Sequence, residues 1–378
     1  MGCKTNKIVE IEEGEKFRKF MDFLRENVDL EEITKWTEID LYNKKLDLLS
    51  HLEMMVWSAI KDCEKLRELS DALKGADARK DGLIQISSSQ LSKVNKTRDY
   101  RIFVLIFYEL IYSMRKYHIL WKFRKAFKIL GIDSSFIKIN RYFARMGYCS
   151  STKSVEKGIK IHVGALLGKL TLPLTAMITP GDVSEQKEFD YVLDDCSIMI
   201  DLSKAILVFD KGYWNFDRFA DLTERGIRFI TPMKKGTVYE VLFERNWKNI
   251  SDKRIKLSNG IELRLVQVKT EDGLEEYLTN IFDLPAKDIK EIYDQRWDIE
   301  IFFREIKSYL KIDHFMSKSL NGMLIQIFCT LIAYALMVLF KIIYGLYWVS
   351  IIEIKRWVKY NMIEEKSCLW GGIDNSII

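Results

Sequence analysis

Between Gly322 and Phe340 the chain runs for nineteen residues without a charge, as GMLIQIFCTLIAYALMVLF. A helix this apolar on every side must lie either in lipid or at the centre of a protein core. The length is just enough to cross a bilayer. However, Gln326, Thr330 and Tyr334 recur every four residues along one side. The segment also follows a charged amphipathic stretch, and the first thirty residues are charged throughout, unlike a secretory leader. It is therefore expected to be a fully buried core helix, with no membrane partner, and the fold must supply elements to enclose it. A membrane span is the competing reading, which recovery of the chain without detergent would exclude.

A chain of 378 residues can supply them, since it has room for two or three domains. Four prolines and no low-complexity tract argue against long linkers. The six cysteines (3, 63, 149, 196, 329, 368) form no CxxC pair, and the four histidines (51, 118, 162, 314) form no cluster. That pattern speaks against a zinc site or a disulfide framework and suits a reducing, cytoplasmic location. The opening MGCKTN resembles a myristoylation site but has Asn6 where Ser or Thr is required. The net charge of +5 is unevenly spread. Residues 111–170 hold thirteen Lys or Arg against two acids, Asp133 and Glu156. Such a block suits a polyanion, most simply nucleic acid; a solvated surface balanced by acids in 182–201 is the alternative.

The periodicity changes along the chain. Residues 1–95 are helical in pattern, and 98–130 form another helical stretch. After 131, FIKI, KGIKIHVGALLG and LPLTAMITPGD alternate apolar and polar residues, as strands do. EFDYVLDDCSIMIDLS reads as a helix, AILVFD as a buried strand, NFDRFADLTERG as a helix and IRFITPMK as a strand. Residues 237–282 alternate again, and SNG between two such runs marks a hairpin. The spacing predicts one amphipathic helix over YDQRWDIEIFFREIKSYLK, residues 293–311.

Two acids stand at strand ends. Asp133, in GIDSSFIKI, sits where a strand begins and is the sole acid between Glu109 and Glu156. Asp210 closes ILVFD ahead of KGYWN, a position that opens onto the crevice where α/β sheets place their sites. Each alone is ordinary turn chemistry. On the 293–311 helix, Tyr293, Arg296, Glu300 and Lys307 fall within about 60° of one line, with Ile299, Phe302, Phe303 and Ile306 on the neighbouring apolar stripe. A solvated face with helical ion pairs explains that spacing too. Three carboxylates amid cations also have a chemical rationale. Paired divalent cations about 4 Å apart activate a nucleophile and stabilise charge in phosphodiester cleavage, and carboxylates hold them. Lys and Arg alongside would grip phosphates.

Tyr293, Arg296, Glu300 and Lys307 fit Y-x2-R-x3-E-x6-K, and the stretch around them resembles the DDE transposases of the insertion-sequence-four group with their YREK signature. GIDSS resembles that family's first-Asp motif, and LVFDKGYWNFDRFADLTERGIRFITPMK its second. KGIKIHVGALL and LPLTAMITPGDVSE resemble the strand pair between them. The similarity covers roughly 85–340 of the chain. It implies an α/β fold: an RNase H-like mixed sheet flanked by helices, with an antiparallel β insertion and a helical N-terminal domain. It implies that Asp133, Asp210 and Glu300 are catalytic and hold two Mg²⁺ or Mn²⁺ ions. It implies that Tyr293, Arg296 and Lys307 contact the transferred DNA end. The implied reaction is metal-dependent cleavage at the ends of an insertion sequence, then strand transfer, with or without a hairpin intermediate. The implied partners are double-stranded DNA (terminal inverted repeats and target) and a second copy of the chain, because two ends must be joined. Trp214 and Trp297 could stack on an unpaired base or belong to the core.

The expected domains are a helical head over 1–95, a first core part over 96–232, a β-rich insertion over 233–282, a second core part over 283–345 and a tail over 346–378. Three readings compete with a working transposase. They are a nuclease or resolvase on the same fold without strand transfer, a DNA-binding remnant without catalysis, and the membrane protein considered above.

Overall fold

The computed structural model describes residues 16–41, 45–123, 127–139 and 158–360. Arg124, Lys125, Arg141, Arg145, Lys153 and Lys157 of the basic window lie outside the described residues. By packing, the chain divides into two compact units: 1–114 together with 305–378, and 115–304.

The first unit is helical and is built around the uncharged segment. Helix Leu320–Ile343 spans it and is buried along almost its whole length. Ser319 starts the helix, its hydroxyl accepting from the Gly322 amide at 3.1 Å. Helices Leu48–Lys61, Ser88–Thr97 and Arg101–Ser113 pack against it, joined by Lys16–Asn27 and Ile351–Tyr360. The apolar run is thus a core helix, and the head supplies most of its enclosure. Its polar residues are satisfied inside the unit: Gln326 Nε2 donates to the His314 carbonyl at 2.7 Å, and Thr330 Oγ1 donates back to the Gln326 carbonyl at 2.8 Å.

The second unit is a mixed sheet with helices. Its strands are β1 (Phe127–Lys138), β2 (Gly158–Leu167), β3 (Leu172–Pro180), β4 (Ala205–Phe209), β5 (Arg228–Pro232), β6 (Tyr239–Trp247), β7 (Ile250–Leu257), β8 (Glu262–Thr270) and β9 (Gly273–Thr279). Among the described residues they follow one another in a single sheet as β3-β2-β1-β4-β5-β9-β8-β7-β6, and a two-residue strand, Lys122–Phe123, pairs with the start of β1. Strands β1, β4 and β5 are parallel neighbours, and every other pairing is antiparallel. Three antiparallel strands followed by two parallel ones are the RNase H-like arrangement that the sequence resemblance implies. The all-apolar β4, AILVF, is buried at every position, as a strand covered on both faces must be.

Strand β1 differs from its sequence reading. It begins at Phe127, so Asp133 lies within the strand and not at its start. The helical pattern expected up to residue 130 gives way because Ile129 and Leu130 pair with both β2 and β4, and tertiary pairing overrides local propensity.

Strands β6 to β9 extend the same sheet. Thr279 of β9 pairs with Ile230 of β5, so the antiparallel segment grows from the core's edge. The SNG hairpin forms as expected: Gly260 takes φ +87°, and the Leu257 amide donates to the Ile261 carbonyl at 2.9 Å.

The 293–311 stretch is not one helix. Helix Ala286–Asp294 ends, a tight turn follows, and helix Trp297–Arg304 begins. The junction is marked by bonds to the third residue back, such as the Arg296 amide to the Tyr293 carbonyl at 2.8 Å. A π-helical turn then covers Glu305–Tyr309, with the Leu310 amide donating to the Glu305 carbonyl. Smooth 3.6-residue spacing along the whole stretch therefore fails at both places.

Candidate active site

Strand register brings the two aspartates side by side. In the parallel pair β1–β4, Ile132 lies opposite Phe209, and the next residues are Asp133 and Asp210. Their side chains also share a face. Gly164 of β2 faces Cys196 on helix Glu185–Met199, and its partner across the strands is Ile132. The alternation of a strand then turns Asp133 to the opposite face. Phe209 packs its ring on Phe189 of that same helix at 5.1 Å. Asp210, still extended at φ −75° and ψ 161°, turns away from it in the same manner.

Helix Trp297–Arg304 packs on β1 and β2. Arg296, in the turn just before it, reaches across: Nη2 donates to Glu300 Oε1 at 2.6 Å, and Nη1 stands 4.0 Å from Asp133 Oδ2. One guanidinium therefore links Asp133 to Glu300, which limits the separation of their oxygens to about 9 Å. Tyr293 completes the cluster, with the Arg296 guanidinium 5.7 Å from its ring centre and Tyr277 packed against it at 5.1 Å. The break after Asp294 is what places Arg296 between the two acids. Asp133, Asp210, Glu300, Tyr293 and Arg296 all lie in the second unit. Lys307 belongs to the helical unit, on the π turn, where burial lowers its pKa and Asp313 partly offsets this.

The electrostatics follow from this packing. Burial pushes the Asp133 carboxyl up to about 6; the Ser134 amide and Arg296 oppose the rise, and Glu185 and Asp210 add to it. Burial would lower Arg296, but Tyr293, Glu300 and Asp133 outweigh it and hold the guanidinium charged. Burial also raises the Tyr293 phenol, which stays neutral.

Two other features escaped the sequence reading. Glu185, in the first turn of helix Glu185–Met199, raises Asp133 electrostatically and pairs with Lys160 at 3.4 Å. Its signal, an acid at a helix start, is common to many helices. Tyr213 is 2% exposed; burial raises its phenol, Asp133, Glu185 and Asp210 add to the rise, and a hydrogen bond to Ser134 opposes it. Of the two tryptophans, Trp214 is core, with Nε1 donating to the Pro232 carbonyl at 3.0 Å, whereas Trp297 is 56% exposed.

The all-oxygen donor set suits hard divalent cations. The buried Nε of Arg296 has no hydrogen-bond partner among the described residues. Among the described residues, no three His, Cys, Asp or Glu already meet at ligand spacing; the Arg296 charge stands between Asp133 and Glu300 instead.

Residues 125–336 match the model of the transposase DDE domain, a span of more than half the chain. The chain belongs to the transposase DDE domain family. Relatives of this DDE chain carry transposase names. One is y4zB of Sinorhizobium fredii, 34% identical over 36% of this chain and 42% of its own length. Another is the transposase named for insertion sequence element IS4SA of Synechocystis, 26% identical over 68% of this chain and 72% of the relative. A third is named for element IS5377 of Geobacillus stearothermophilus, 25% identical over 48% of each. The match spans less than half the length of the first and third of these relatives. The DDE-domain match covers both aspartates, the Tyr293–Glu300 stretch and Lys307.

Proposed function

We propose that this DDE-family chain is a transposase that cuts DNA at the ends of an insertion sequence and joins the freed end to target DNA. What supports the reading is the parallel register that sets Asp133 and Asp210 next to the Ile132–Phe209 pair, together with Arg296, which bonds Glu300 and stands 4.0 Å from Asp133. In this reading those three carboxylates hold two Mg²⁺ or Mn²⁺ ions, which supply an activated oxygen nucleophile and charge stabilisation at phosphorus. Asp133, with a carboxyl pKa near 6, gives up its proton readily at neutral pH and does so more easily as positive charge arrives. Arg296 neutralises Asp133 and Glu300 in the free protein, and a phosphate of the transferred end draws its fork away from them. Tyr293 holds the guanidinium by its ring and offers a neutral hydroxyl to the DNA backbone. Lys307 contacts the same strand. The partners are terminal inverted repeats, target DNA and a second copy of the chain, and the protein works in the cytoplasm on the nucleoid.

The test uses oligonucleotides carrying the element's ends, Mg²⁺ and a supercoiled target. Wild type is expected to nick and to form strand-transfer products, whereas Asp210→Asn and Glu300→Gln lose both by at least about a thousand-fold. Nicking without joined products would move the assignment to a nuclease. Equal nicking by Asp210→Asn would remove Asp210 from the site.

A further inference from the structure

The acid set of Asp133, Asp210 and Glu300 leaves Glu185 unused, although several bonds tie its turn to the one after Asp210. Gln186 Nε2 donates to the Gly212 carbonyl at 3.1 Å. Arg218, 6% exposed, donates to the Tyr213 carbonyl and to the Gln186 carbonyl, each at 2.7 Å, while its guanidinium lies 4.2 Å from the Phe189 ring centre. These bonds tie the first turn of helix Glu185–Met199 to the turn that follows Asp210. One Glu185 oxygen faces Lys160 at 3.4 Å. The other faces Gly212: a methyl built there would lie 3.8 Å from Glu185 Oε2 and 3.9 Å from Asp210 Oδ2, with no other atom within 4 Å beyond the adjoining residues. The missing side chain of Gly212 thus leaves a gap bordered by one oxygen of each carboxylate. Tyr213, the next residue, is buried, and burial with Asp133, Glu185 and Asp210 keeps its phenol neutral against the opposing hydrogen bond to Ser134. An acid serving only the helix dipole needs no particular direction within the first turn. Glu185 instead places one oxygen at the same Gly212 gap as Asp210.

We propose that Glu185 is a fourth carboxylate of the active site, accepting hydrogen bonds from the water shell of a divalent cation held by Asp210. Mg²⁺ and Mn²⁺ fit such a place because Mg²⁺ in particular keeps several of its waters when protein-bound. Glu185 is in this sense a positioning residue: it fixes the hydrated face of the ion, and Gly212 keeps the space open. The inference rests on the assignment of Asp133, Asp210 and Glu300 as metal-holding acids.

The test is Mn²⁺ binding to the full chain without DNA, followed by electron paramagnetic resonance, with thermal melts in chelator to check folding. Glu185→Gln is expected to weaken one Mn²⁺ site by about ten-fold, the usual effect of losing an outer partner. Gly212→Ala, whose methyl meets only ordinary contacts, should do the same by filling the gap. Glu188→Gln, with the same charge change one turn along, should bind as wild type. Wild-type affinity in both Glu185→Gln and Gly212→Ala, with Asp210→Asn defective, would overturn the role of Glu185 alone. Unchanged binding in Asp210→Asn, or no binding by wild type, would overturn the acid site and this inference with it.

Discussion

Arg296 is the residue on which the free site turns. It is largely buried, its charge is shared by Asp133 and Glu300, and its Nε has no partner. Removing it leaves two part-buried carboxylates without a cation. Arg296→Gln is therefore expected to destabilise the chain at pH 7 by about 1–3 kcal/mol, read from urea unfolding. The loss should shrink near pH 5, where Asp133, with its pKa near 6, is already protonated. A loss that stayed constant across this range would mean that the Asp133–Arg296 attraction contributes nothing. Arg296→Lys should recover part of the stability but not the two-pronged reach to both acids. The pairing of Arg with Glu four residues on was visible in the sequence; Asp133 as the second recipient was not, because it is far away along the chain.

At the scale of elements, the site depends on how helix Glu185–Met199 beds onto β2. Gly164 permits this: a methyl there would run into Cys196 Sγ and crowd Thr175. Gly164→Ala should destabilise by about 1–3 kcal/mol through overpacking. Cys196→Ala in the same chain should restore much of that loss, because it removes the atom that collides. Thermal melts of the two single variants and the double variant test this, and additive effects would contradict it. Most elements of this unit were legible beforehand. AILVF could only be a covered strand, and IELRLVQV after SNG only the second arm of a hairpin. The continuous helix over 293–311 was misread for a physical reason. Hydrophobic spacing of 3.6 tolerates a tight turn and a π turn, since each shifts the azimuth by a fraction of a turn while the apolar residues still find the core.

Across the whole molecule, each unit encloses a histidine held neutral. Burial, then Arg98, lowers His51 to about 3, against its hydrogen bond to Asn95. Burial, then Lys160, lowers His162 to about 4, partly opposed by Glu185. Both folded values lie below the ordinary 6.5, so the unfolded chain takes up these protons first. Stability from these groups is complete above pH 6.5 and falls as the pH drops, by on the order of 3 kcal/mol each at pH 4. Asp133 acts in the opposite sense: its raised pKa makes its contribution more favourable as the pH falls from 6 towards 4. Urea midpoints measured from pH 7 to 4 should therefore fall for wild type. His162→Gln, which can keep a bond to Thr179, should flatten that fall, and an unchanged slope would contradict the assignment.

Local chemistry in the chain was enough to specify most element types, the burial of residues 322–340 and the set of acids and cations that carry the resemblance, because periodicity, turn residues and motif spacing are properties of neighbours. Three facts came only from packing. The head and the C-terminal segment form one unit, because a helix with no polar side must be surrounded by whatever helices are at hand. Asp133 and Asp210 stand together, because parallel register aligns residues nearly eighty positions apart. Glu185 and Asp210 border the same gap at Gly212, because Gln186 and buried Arg218 tie two turns across the sheet end. Such long-range alignments depend on which surfaces meet, and no window of sequence contains both partners.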